Sequence, residues 1–207
     1  MTENLQLMRN ARKSLEPYWL LAVLVTLVYL IISAIIGGIQ NTSESSQLLD
    51  LVGLLLNILI TGPVALGFTI FALNVSRNNT PDFSDLFKGF NQYGRNVLAY
   101  LIMMLIIILG FVLLIVPGII AALGLSMTLF IIADDPDISA TDAIQKSWKM
   151  MMGYKWKYLR LSLRFIPWIL LSIILLFVGF LFVAPWIQVT AAGFYEEIKE
   201  TTPSIDN

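Results

Sequence analysis

Six apolar blocks dominate this sequence and restrict it to one kind of fold. They run from Tyr18 to Ile39, Leu48 to Leu73, Val97 to Val116, Pro117 to Ala133, Leu161 to Val183 and Ala184 to Tyr195. A helix needs about 20 apolar residues to cross a bilayer, and the first, second, third and fifth blocks reach that length. Lipid offers the backbone no hydrogen-bond partner, so each block must bond within itself, as a helix does. The expected fold is therefore all-α: a polytopic membrane bundle of about six embedded helices in three hairpins. Charged residues make up only 13% of the chain and hydrophobic ones 57%. A soluble domain carries about 25% charged residues. The last block is the weakest, with Gln188 and Thr190 inside it, and as a helix it reaches only about 18 Å. The first block follows Arg9, Arg12 and Lys13, as a signal peptide would. However, it exceeds the ~7–15 residues of a signal core and lacks an A-x-A-like site after Gly37-Gly38, so it is expected to remain as an anchor.

Charge placement orients the bundle. With six segments, one side holds residues 1–17, 74–96, 134–160 and 196–207. All 13 Lys and Arg fall there or within a turn of it. The other side holds 40–47 and two tight turns, near Val116-Pro117 and Ala184-Pro185, and offers only Glu44, with Asp50 at its edge. The positive-inside rule makes the basic side cytoplasmic, with both termini on it, in a cell membrane. The chain reads as one membrane domain: an amphipathic segment 1–17, a bundle 18–195 and a tail 196–207.

The cytoplasmic connectors carry patterns of their own. Leu5, Met8, Ala11 and Leu15 form an apolar stripe beside Arg9, Arg12 and Lys13. Thr80-Pro81 resembles a helix start, and Phe83, Leu86, Phe87 and Phe90 then share one face. Ser139 and Asp142 have capping-box spacing, after which Ala140, Ile144, Trp148 and Met152 recur every four residues. Each connector is expected to be an interfacial amphipathic helix. Either they cover the bundle ends, or they form a docking surface for anionic lipid or another membrane protein. On the second reading the contact residues are Ile144, Lys146, Trp148, Lys149 and Met152, with Trp at headgroup level and each Lys attracted to an anionic surface.

The connectors also suggest a threefold internal repeat of amphipathic helix, aromatic residues, apolar helix, Pro-marked turn and second apolar helix. The segment Ala65–Phe71 loosely echoes Leu123–Phe130. On several of these residues the chain resembles the bacterial integral-membrane proteins grouped as domain-of-unknown-function family 975. The resemblance runs from about Arg9 to Tyr195. It rests on Gly62-Pro63 with Gly67, Phe87-Lys88-Gly89-Phe90, Pro117-Gly118-Ile119-Ile120-Ala121, Ser147 with Met151 and Gly153, and Phe194-Tyr195. It implies a polytopic bacterial membrane protein without an established activity, and it brings no catalytic residues.

Polar groups inside the apolar blocks are the remaining pointers to function. Arg164 is the candidate intramembrane polar site; it either snorkels to the headgroups or pairs with Asp134, Asp135 or an anionic substrate. Asn57 and Gln188 suit hydrogen bonds between helices. Pro63 and Pro167 should kink their helices. The small residues Gly118, Ala122 and Ser126, and the shorter pair Ser33 and Gly37, allow close helix packing. Asp134-Asp135-Pro136-Asp137 has the charge to hold a divalent cation but no EF-hand spacing, and such residues also end and cap helices. The chain has no His and no Cys. That removes the usual zinc, haem and thiol chemistry, and no cofactor is expected. A net charge of −1 gives no reason to expect a nucleic-acid partner. The expected function is a non-enzymatic accessory, assembly or lipid-interacting membrane module. The alternative is a small transporter or channel, favoured by the kinked helices and Arg164 but short of polar lining. A lipid-acting enzyme would need Asp, Ser or Lys chemistry, and no such constellation is assembled in the sequence.

Overall fold

The computed structural model describes residues 2–41, 47–175 and 177–201, and side chains are not described for 37–52 and 54. Glu44, the side chain of Asp50, the surroundings of Gly37 and the end of the tail, 202–207, lie outside the described residues. Every regular element among the described residues is helical. In chain order these are α1 (Asn4–Leu15), a 3₁₀ turn at Glu16–Tyr18, α2 (Trp19–Asn41), α3 (Gln47–Ser76), α4 (Asp85–Lys88), α5 (Tyr93–Leu113), α6 (Ile115–Leu125), α7 (Thr128–Asp134), α8 (Ala140–Met150), α9 (Lys155–Leu163), α10 (Ile166–Ile174) and α11 (Phe180–Thr201).

Four helical stretches are long and apolar enough to cross a membrane: Asn4–Ile36, Leu55–Ser76, Tyr93–Leu113 and Ile115–Asp134. They cover the first four expected segments. The junction between α5 and α6 lies at Leu114, whose extended backbone (φ −167°, ψ 158°) separates the two helices. Pro117 then falls in the first turn of α6, where a missing N–H costs little because no intrahelical acceptor exists there. Apolar side chains crowd this tip without cover: Val112, Leu113, Leu114, Ile115 and Val116 are between 65% and 76% exposed. A patch of this kind is untenable in water and suits a hydrocarbon solvent.

The last two expected segments divide differently. The block Leu161–Val183 is not one helix, because α9 ends at Leu163, α10 covers only Ile166–Ile174, and α11 already begins at Phe180. The expected turn at Ala184-Pro185 lies inside α11, which carries Pro185 as an internal residue. The chain turns instead around Phe177, at φ 68°, and Gly179. A Cβ on Gly179 would lie 2.6 Å from the Cα of Ser172, so a glycine is required where the two helices meet. The second connector also falls short of expectation: α4 is a single turn, with Leu86 buried while Phe83, Phe87 and Phe90 are exposed. Asp85, 1% exposed, holds that turn by accepting hydrogen bonds from Asn74 Nδ2 (2.8 Å), the Asp82 amide (3.0 Å) and Lys88 Nζ (2.5 Å).

The core gathers around α3 and α11, which pack on each other and on α1 and α2, and α3 also meets α4, α5 and α7. Leu15, Val25, Phe71, Phe194 and Ile198 are fully buried there. Gln188 of α11 donates to Thr69 Oγ1 of α3 at 3.0 Å, a bond between helices. Asn57 accepts instead from Thr61 of its own helix.

One packing relation occurs three times. On α3, the carbonyl of Leu86 sits over Gly67 and Gly89 sits over the Pro63 carbonyl, so α4 runs antiparallel along α3. On α6, Ser147 Oγ donates to the Gly124 carbonyl at 2.9 Å and the Trp148 ring covers Gly124, so α8 lies along α6. On α11, Thr2 meets Glu197, Leu7 approaches Gly193 and Trp186 Nε1 donates to the Met8 carbonyl at 2.9 Å, so α1 runs antiparallel along α11. Each receiving glycine stands in a related tetrapeptide: Ala65-Leu66-Gly67-Phe68, Ala122-Leu123-Gly124-Leu125 and Ala191-Ala192-Gly193-Phe194. The third member is the one the sequence reading overlooked.

Candidate functional site

The connector Ser139–Met152 is built as its sequence suggests at one end and differently at the other. Ser139 caps α8, accepting from the Asp142 amide at 3.1 Å and donating to its carboxylate at 2.6 Å. The helix buries Ala140, Ala143, Ile144, Ser147 and Met150. Of the five expected contact residues, Ile144 therefore belongs to the packed face, Lys146 is half-buried, and Trp148, Lys149 and Met152 are exposed. The reason is the helical period. A four-residue repeat advances about 40° per step, so three steps carry Met152 roughly 120° away from Ala140. Alternating steps of three and four keep 140, 143, 147 and 150 against α5, α6 and α7. The helix also seats on Gly124, near the middle of the Ile115–Asp134 stretch and well away from its end.

Beyond α8 the chain bends at Gly153, whose φ of +85° lies in the left-handed region that glycine tolerates. The bend places Lys155 Nζ 3.7 Å from the centroid of the Trp148 ring. Packing against this apolar surface pushes the Lys155 ammonium below the ordinary lysine range. Lys155 also lines an open groove of about 560 Å³ between α6 and α9, walled by Ile119, Ile120, Leu123, Trp156 and Leu159. Trp156 is 71% exposed at its mouth. Lys155 and Trp156 were missed as site residues; the signal for them was Gly153, which follows α8 by three residues and bends the chain so that α9 starts back beside it.

Arg164 is exposed at the C-cap of α9, one turn after Arg160, and edges a shallow groove with Asn4 and Lys157. Its expected partner Asp134 is engaged elsewhere: it accepts from Arg77 at 2.5 Å and Tyr195 at 2.9 Å, and it pairs with Lys199. Arg77 also reaches Glu196 at 2.6 Å. This knot joins the ends of α3 and α7 to α11. Asp135 turns inward to its own loop, accepting from the Asp137 amide at 3.1 Å. Among the described residues no group of three His, Cys, Asp or Glu side chains is placed to hold a metal. What the α8–α9 surface offers chemically is two lysines, Lys149 and Lys155, and two tryptophans beside an apolar trough.

Comparison with known proteins bears on half of the chain. A family model described as "protein of unknown function (DUF975)" matches residues 95–202. The match contains Pro117-Gly118, the Ser147-to-Gly153 segment and Phe194-Tyr195, whereas Gly62-Pro63, Gly67 and Phe87–Phe90 lie outside it. No curated protein and no solved structure matches the chain. With its Pro-Gly element opening α6 and its Ser-to-Gly connector seated on Gly124, the chain belongs to the DUF975 family of proteins of unknown function.

Proposed function

We propose that the protein is a non-enzymatic membrane module of six embedded segments, with both termini cytoplasmic, whose connector α8 and the start of α9, tucked against the middle of the α6–α7 stretch and not laid flat on the leaflet, engage an anionic lipid in the groove beside α6. The single observation that carries this reading is the Trp148–Lys155 pair at the edge of the α6–α9 groove. A cation held over an indole beside an apolar trough matches an acidic amphiphile: methylenes fit the trough and the headgroup meets the ammonium. Lys149, exposed on α8, adds a second positive charge on that connector. The six segments would be α2, α3, α5, α6 with α7, α10 and α11, and the triple use of one packing relation supports grouping them in pairs.

The test is lipid retention. Protein extracted in mild detergent should co-purify with acidic phospholipid. Lys149→Gln with Lys155→Gln should reduce that fraction about tenfold or more, at on the order of 1 kcal/mol per lysine. Lys149 is exposed and Lys155 is half-buried at the groove edge, and Gln keeps most of each stem, so folding should be unaffected. Equal retention by the double variant would reject the reading.

A further inference from the structure

A second groove lies on another face, between the N-terminal ends of α2 and α10 and backed by the first turns of α11. It has a volume of about 340 Å³ and is lined by Arg12, Trp19, Trp168, Phe182, Val183 and Trp186. Its size falls within the ~300–1,000 Å³ typical of ligand pockets and far exceeds the ~30 Å³ share of one water molecule. It is open because α10 packs mainly on α11 and leaves the flank facing α2 uncovered.

The walls are fixed in place. Trp186 is pinned by its bond to the Met8 carbonyl, one turn before Arg12. Trp168 meets Trp186 edge-on at 5.4 Å, and Trp19 meets Phe182 at 6.0 Å. Three of the chain's five tryptophans therefore converge here from three helices. Tryptophan favours headgroup depth because its ring is apolar and its N–H polar. Arg12 is the charged residue among those that line the groove. Arg12 is exposed, and no carboxylate of a described residue, Glu16 included, lies within 4 Å of it.

We infer that this groove is a binding site for one anionic phospholipid, whose acyl chain lies against the Trp and Phe walls and whose phosphate is held by the Arg12 guanidinium. A guanidinium presents paired N–H donors that match two phosphate oxygens, which selects a headgroup with exposed negative charge. The site rests on the membrane reading above but is independent of α8.

The probe is quenching of tryptophan fluorescence by bromine on lipid chains. In a Trp148→Phe, Trp156→Phe background, the three remaining tryptophans all line this groove. The protein is reconstituted in phosphatidylcholine vesicles containing either brominated-chain phosphatidylglycerol or brominated-chain phosphatidylcholine. Brominated phosphatidylglycerol should quench at about fivefold lower fraction, the preference expected from one cation–phosphate contact. Arg12→Gln should abolish the preference, while Arg9→Gln, a change on the same helix outside the groove, should leave it. Equal quenching by the two lipids would overturn the assignment, as would a preference that survives Arg12→Gln or one lost equally in Arg9→Gln. Quenching that falls as protein density in the vesicle rises would also overturn it, giving the groove to a second copy of the chain. Because Trp148 and Trp156 are absent from the reporter, failure here leaves the α8–α9 test unaffected.

Discussion

Replacing each of the three receiving glycines by alanine adds the same methyl group at related positions, yet the structure expects three different outcomes. At Gly67 the new Cβ would lie 1.8 Å from the Leu86 carbonyl oxygen. Restoring a C···O distance of about 3.3 Å requires α4 to move away by roughly 1.5 Å. The obstacle is backbone, and the buried Asp85 and Leu86 would move with it. Overpacking of a tight site costs about 1–3 kcal/mol and sometimes more, and Gly67→Ala belongs at the upper end. At Gly124 the nearest atoms, at 2.5 and 2.6 Å, belong to the Trp148 ring. That side chain is 37% exposed and is able to swing outward, giving up its contact with Lys155, worth about 0.5–1 kcal/mol. Alanine recovers about 1 kcal/mol of helix propensity, so Gly124→Ala should be close to neutral. At Gly193 the nearest atoms are 3.7 and 4.0 Å away, an ordinary contact, so only the propensity gain remains. Thermal unfolding in detergent reads the order directly. At about 2–4 °C per kcal/mol for a chain of this size, Gly67→Ala should lower Tm by roughly 6–12 °C and Gly193→Ala should raise it by roughly 2–4 °C. An unchanged Tm for Gly67→Ala, or equal losses at Gly67 and Gly193, would refute the seating of α4 and α1 described above.

Two further outcomes follow from the charges. Asp134→Ala removes the shared acceptor of Arg77, Tyr195 and Lys199 and should cost about 2 kcal/mol in thermal unfolding, whereas Lys199→Ala, 47% exposed, should cost less than about 1 kcal/mol and lose its effect in high salt; equal losses would show that the knot does not centre on Asp134. Reporter fusions after Gln47 and after Ile198 should report opposite sides of the membrane, the latter cytoplasmic, and a shared side would eliminate six segments.

The helical class and four of the membrane-length stretches were legible in the chain, because an apolar run of about 20 residues has one way to satisfy its backbone away from water. The cap of α8 was legible too: Ser139 and Asp142 bond over three residues without tertiary help. Interactions of this range are settled by nearest neighbours along the chain. The end of the fifth segment was not legible, since Pro185 reads as a breaker in sequence but is tolerated within α11, while Phe177 and Gly179 supply the turn. Which face of α8 points inward was decided by Gly124, Ser147 and the flanking helices, which hold 140, 143, 147 and 150 inside and leave Trp148 and Met152 out. Both grooves lie further still from sequence logic. Arg12 and Trp168 are separated by most of the chain, as are Leu123 and Trp156 by a whole connector, and only packing brings them to one wall. The sequence determined which residues must leave water, because that follows from each side chain's own transfer energy. The tertiary structure decided which cation stands beside which aromatic ring, because that depends on how helices far apart in the chain lie along one another.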